Sequence, residues 1–135
     1  SHLLYLTAPH WRLAVNRRLK DLGMSQASWV AVSAIARNEK PLSQSELAQE
    51  LGVESATLVP LLNRLVDVGL VERIKTERDK RKRLLIATAK GLEVYQQVKT
   101  VADDLREEIL TAITPEEQQQ TQQVLEKLLR EVEKK

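Results

Sequence analysis

The densest chemistry in this chain is cationic. Arg78-Asp79-Lys80-Arg81-Lys82-Arg83 sets five bases beside one acid, and the wider stretch from Arg73 to Arg83 holds seven basic residues against two acids, a local excess of +5. Lysines and arginines gathered this way neutralise phosphates, so the chemistry on offer is capture of a polyanion rather than bond breaking. The net charge of only +2 conceals it, because Asp103 to Lys135 carries nine acids and five bases. Charge runs are often no more than solvated loops, so the neighbouring residues must decide. Upstream stand Ser55, Ala56 and Thr57, short polar or methyl-bearing side chains that suit base edges and thymine methyls. Arg64 follows, long enough to reach a base or a phosphate.

Catalysis finds little support. The chain has two histidines and no cysteine, with no glycine-rich phosphate loop and no paired nucleophile and base. His2 and His10 do not fall within one helical turn, which argues against a metal site. Without cysteine there is no disulfide scaffold, thiolate zinc site, catalytic thiol or cysteine-based peroxide sensor. The expectation is a non-enzyme with no catalytic residue, no metal and no cofactor.

At 135 residues, 42% apolar and 30% charged, the chain has the size and composition of one folded domain with an ordinary core. Its few aromatics, Trp11, Trp29, Tyr5 and Tyr95, make that core aliphatic. No apolar run approaches the ~20 residues of a spanning helix, and no secretory leader pattern opens the chain, so no membrane partner and a cytoplasmic location are expected.

The elements that must position the polar set follow from local signals. Leu3 to Asp21 reads as a helix ending before Leu22-Gly23, with Pro9 either near its true start or at a kink. Ser25 caps a helix to about Asn38, with Trp29, Val32, Ile35 and Ala36 facing inward. Ser43 with Glu46 forms a capping box for a short helix that Gly52 stops. A further helix from about Ser55 to Val68 carries Leu58, Leu62 and Leu65 on one face, with Val53 helping to hold it against the helix before. Leu70 to Lys75 and Leu84 to Thr88 read as a two-stranded hairpin whose loop is the basic segment. Thr88 caps a long helix to about Ile113, and Thr114-Pro115-Glu116-Glu117 opens a last one to about Glu133.

A short helix, a glycine turn and a second helix with a polar outer face form a helix-turn-helix, whose second helix enters the major groove of DNA. A basic hairpin directly after it becomes a wing that can reach the minor groove. The fold class expected is therefore mainly α with a small β-hairpin, a winged helix-turn-helix with long N- and C-terminal helices. The other reading of the same elements is a winged helix used for protein–protein assembly, in which the hairpin would be less basic and more apolar.

Leu47-Ala48 through Gly52-Val53, Leu65 through Arg73, the Asp79-Lys80-Arg81 loop and Thr88-Ala89-Lys90-Gly91 resemble the MarR family of transcriptional regulators, over nearly the whole chain. Trp11-Arg12, Gln26 and Trp29-Val30 are similar to its SlyA group. The resemblance implies one domain over 1–135, with 1–22 and 92–135 as dimerisation helices and 25–91 as the winged module. It implies a homodimer on successive major grooves of a pseudo-palindrome in double-stranded DNA, with Arg81 in the minor groove and Asp79 supporting it. The DNA-facing set is then Ser43, Ser55, Ala56, Thr57, Arg64, Arg73, Arg78, Asp79, Lys80, Arg81, Lys82 and Arg83. Leu3, Leu4, Leu6, Ile109, Ile113, Val124, Leu128 and Val132 would be covered by the second copy. A small aromatic carboxylate is a further implied partner, with His10, Arg17 and Trp29 as candidate contacts. One departure stands out: Pro60 occupies a recognition-helix position where SlyA-like proteins commonly carry a DNA-facing arginine, and it removes a backbone hydrogen bond.

Overall fold

A computed structural model describes residues 1–76, 78 and 82–135. The chain divides into two units, Ser1–Val101 and Ala102–Lys135.

In the first unit, α1 (His2–Leu19) begins ahead of Pro9 and passes through it. A 3₁₀ turn (Lys20–Leu22) then leads to Gly23, whose N–H donates to the Lys20 carbonyl. Next comes α2 (Gln26–Arg37), capped as expected by the Ser25 hydroxyl accepting from Ser28 N. Its buried residues are Ala31, Val32, Ser33, Ala34 and Ile35, a wider face than Trp29, Val32, Ile35 and Ala36. The reason is position: α2 packs against α3 (Gln44–Leu51), α4 (Val59–Asp67) and β3 (Arg83–Ala87) at once.

The sheet departs from the expected hairpin. β2 (Val71–Lys75) pairs antiparallel with β3, and a third strand, β1 (Leu42–Ser43), pairs with the other edge of β3, giving the order β1-β3-β2. Leu42 stands opposite Leu85, and Arg73 opposite Leu85 on the other side. Two residues are too few to show alternation, and Ser43 reads as a cap; it serves as both.

The recognition segment is not one regular helix. Ser55–Leu58 is a 3₁₀ turn, and α4 begins only at Val59. Pro60 explains this. In an α-helix its N–H would bond the Ala56 carbonyl, but proline has none, and Val59 N bonds that carbonyl one residue earlier. Pro60 thus lies in the first turn of α4, where proline is well tolerated.

The core is aliphatic, as the composition requires. Leu47 of α3, Leu62 and Leu65 of α4, Val71 of β2 and Leu85 of β3 are buried together with the inner face of α2. Leu58 and Leu61 join them, so α4 sets down one more leucine than the spacing indicated.

A junction between α4 and the long helix α5 (Ala89–Leu110) fixes the back of this module. The Thr88 hydroxyl accepts from Gly91 N and donates to the Gly69 carbonyl, while Lys90 Nζ donates to the Val68 carbonyl at 2.9 Å. Cations at a helix C-terminus complement its dipole, and here the lysine belongs to the following helix.

The second unit holds the end of α5 and α6 (Pro115–Glu133). The start of α6 bears out the sequence pattern: Thr114 Oγ1 accepts from Glu117 N, and Glu117 Oε1 accepts from Thr114 N. Val124, Leu125, Leu128, Leu129 and Val132 on α6 are all exposed. No helix among the described residues is long and apolar enough to cross a membrane.

Candidate nucleic-acid interface

The start of α3 is pinned first. Ser43 Oγ accepts from Glu46 N and Glu46 Oε1 accepts from Ser43 N, each at 3.1 Å, which closes the capping box. The Ser43 backbone N–H and then its hydroxyl, acting on the carboxylate and helped by the charge of Lys82, hold the Glu46 carboxyl below its usual range. A depressed carboxylate contributes stability above its unfolded pKa and loses it as pH falls through the folded value. Glu46→Gln keeps the box without the charge, so the stability gap between parent and variant should close below about pH 4. Urea unfolding at pH 7 and pH 3 measures it. Ser43 itself is buried, with its hydroxyl engaged at the cap.

At the other end of α3, Gly52 takes φ +68°, a left-handed turn open to glycine, and its N–H closes on Ala48 and Gln49 carbonyls. Val53, expected to hold the helices together, is instead exposed. The buried leucines do that work, and they leave Ala56, Thr57, Asn63 and Arg64 turned to solvent. Ser55 is half-buried, and Gln44 Nε2 donates to its carbonyl at 2.9 Å and its hydroxyl at 3.3 Å.

Arg73 is half-buried on β2, and its guanidinium donates to Asn63 Oδ1 at 2.8 Å, tying the wing to the recognition helix. Arg78, Lys82 and Arg83 are exposed. Asp79, Lys80 and Arg81, with the expected Asp79–Arg81 pairing, lie outside the described residues. Gln44 and Asn63 were missed from sequence, since neither type marks a site without its partner in view.

His10 is exposed with Nδ1 2.6 Å from the Leu6 carbonyl, and Arg17 is exposed. Trp29 is half-buried, its indole N–H donating to Asn16 Oδ1 at 2.7 Å between α1 and α2. Asn16→Ala leaves that donor without its partner and is expected to cost about 1 kcal/mol in denaturant unfolding. A cleft of about 730 Å³ in this unit is lined by Arg12, Gln26, Val30, Thr57, Leu61 and Arg64 among others. It opens beside the recognition segment, and Arg64 forms part of its wall.

A family model described as MarR family matches residues 22–82. The crystal structure of transcriptional regulator PA3341 is 37% identical to this chain, with 99% of this chain and 98% of that one covered and a TM-score of 0.89. The chain belongs to the MarR family. Wild-type MarR of E. coli is 27% identical, covering 95% of each chain at a TM-score of 0.83. An S. aureus MepR–DNA complex shares the fold, at 17% identity, 96% of each chain and a TM-score of 0.80. MarR-family proteins are winged-helix transcriptional regulators that bind DNA, not enzymes, and the polar face just described is built on that fold.

Proposed function

We propose that this MarR-family protein regulates transcription as a homodimer on pseudo-palindromic sites in double-stranded DNA. Residues 25–91 form the winged module, with Ser55, Ala56, Thr57 and Arg64 facing the major groove and the basic wing, Arg81 at its head, facing the minor groove. The observation that carries this reading is a solvent-facing polar set on a segment fixed from beneath by Leu58, Leu61, Leu62 and Leu65, followed directly by a loop with an excess of bases. The basic wing also weighs against a module for protein assembly. Residues 1–22 and 92–135 serve dimerisation, and within the family we place the chain with the SlyA group on Trp11-Arg12, Gln26 and Trp29-Val30.

The exposed aliphatic row on α6 supports the dimer. Leu128→Asp puts a charge into that row, and sedimentation should then find monomers where the parent sediments as dimers. For the ligand, the reading moves from His10, Arg17 and Trp29 to the cleft walled by Arg12 and Arg64. Its apolar lining and two guanidinium-bearing walls suit a small aromatic carboxylate, which would be felt directly at the recognition segment.

Selection of genomic fragments by the purified protein at ~150 mM salt tests the DNA reading. The parent should enrich one pseudo-palindrome that Arg81→Ala loses or weakens. Equal, weak retention of all fragments by both proteins would move the chain to protein–protein assembly.

A further inference from the structure

We infer that Ala56, Val59 and Pro60 make the centre of the recognition segment an apolar reader, which selects thymine by its C5 methyl group. The inference rests on that segment lying in the major groove, as proposed above.

The three side chains are brought together by the junction between the 3₁₀ turn and α4. Residues three apart eclipse in a 3₁₀ turn, and residues three and four apart are neighbours in an α-helix. Ala56, just before the change of pitch, therefore stands over both Val59 and Pro60. Leu58, Leu61, Leu62 and Leu65 are buried on the opposite side. That turns the three outward, and all are exposed, Val59 by 41%. None carries a side-chain donor or acceptor. Nor can the backbone of Val59 or Pro60 donate, since the Val59 N–H is spent on the Ala56 carbonyl and proline has none.

The surroundings are polar. Asn63 and Arg64 follow one turn after Val59 and Pro60 and are exposed, Arg73 donates to Asn63 at 2.8 Å, and the basic wing comes next along the chain. An apolar patch flanked by cations suits a partner that is anionic around the contact and apolar at its centre. Duplex DNA is that partner where a thymine methyl stands out into the major groove between the phosphate rows. No other unmodified base edge there carries a methyl group. Alanine and proline have no side-chain freedom to lose and valine in a helix has one strongly preferred rotamer, so the contact forms at small entropic cost. Hydrogen bonding is left to the residues around the patch.

Deoxyuridine in place of thymidine keeps the base pair and removes only the methyl. Placed in turn at each thymine of a half-site in the duplex the protein enriches, with affinity read by fluorescence anisotropy, it tests the inference. For the parent, at least one position should lose about fourfold, the scale for one methyl-sized group returned to water. The thymine-to-uracil ratio at that position should shrink toward one in Val59→Ser or Pro60→Ser, whichever side chain covers that methyl, and stay at its parent size in Thr57→Ser. Each ratio is taken within one protein, so a loss of stability in a variant cancels from it. A ratio that both Val59→Ser and Pro60→Ser leave unchanged, or that shrinks only in Thr57→Ser, overturns the inference. So does an enriched duplex in which no thymine responds to uracil, and that result leaves the DNA reading standing. A protein that enriches no duplex overturns the DNA reading and the inference with it.

Discussion

Neutralising Arg78, Lys82 and Arg83 together should flatten the salt dependence of DNA binding by about 2.7 in the slope of log affinity against log salt, roughly 0.9 for each phosphate contact removed. All three side chains are exposed on or beside the wing, so the variant should fold as the parent does. Between 50 and 200 mM salt the parent's advantage over the variant should then shrink about 40-fold, the fourfold change in salt raised to that power. The loss should be nearly uniform across sequences, because phosphate contacts position the protein without reading bases. Fluorescence anisotropy with one duplex at several salt concentrations measures it. An unchanged slope would mean that these cations face solvent in the complex.

Gly91→Ala should be the most damaging small substitution in the winged module. A Cβ at this position would lie 2.1 Å from the Leu70 carbonyl oxygen and 3.1 Å from its carbon. Both are backbone atoms and cannot rotate aside. Relief requires moving either the start of α5 or the turn that joins α4 to β2, and that turn is held by Thr88 N donating to the same Leu70 carbonyl. The cost expected is about 3 kcal/mol, at the upper end for an overpacked site, or roughly 10 °C in melting temperature. Since Lys90 and Thr88 bind the Val68 and Gly69 carbonyls at the end of α4, DNA affinity should fall along with stability. Thermal unfolding followed by circular dichroism checks the first part, and a melt within about 2 °C of the parent would contradict it.

What could be read from the sequence was local. The capping boxes at Ser43 and Thr114, the stop at Gly52 and the leucines of α4 each announce themselves within a few residues, because a cap or a helical face depends on neighbours three or four positions away. Contacts between distant residues were not legible. Gly91 stands out in the sequence only within the Thr88-Ala89-Lys90-Gly91 resemblance, because nothing nearby reveals that the Leu70 carbonyl occupies the space of its missing side chain. β1 consists of two residues whose partners, Leu84 and Leu85, stand far along the chain. Pro60 was visible as a disturbance, but its outcome, a 3₁₀ turn that moves the start of α4 to Val59, depends on which donor takes over the Ala56 carbonyl. At the candidate site, exposed Ala56, Thr57 and Arg64 follow from the leucine stripe beneath them. The Gln44–Ser55 and Asn63–Arg73 hydrogen bonds span a corner and a strand, and residue type alone does not pair them.

The central claim is that this chain recognises a particular DNA sequence, and a competition between two duplexes addresses it most directly. The purified protein would be titrated by fluorescence anisotropy onto the duplex it enriches from genomic DNA and onto a scrambled duplex of equal length and composition, at ~150 mM salt. The account predicts saturation at two chains per enriched duplex and an affinity at least about 10³-fold above that for the scrambled one. Equal affinity for the two duplexes would contradict it.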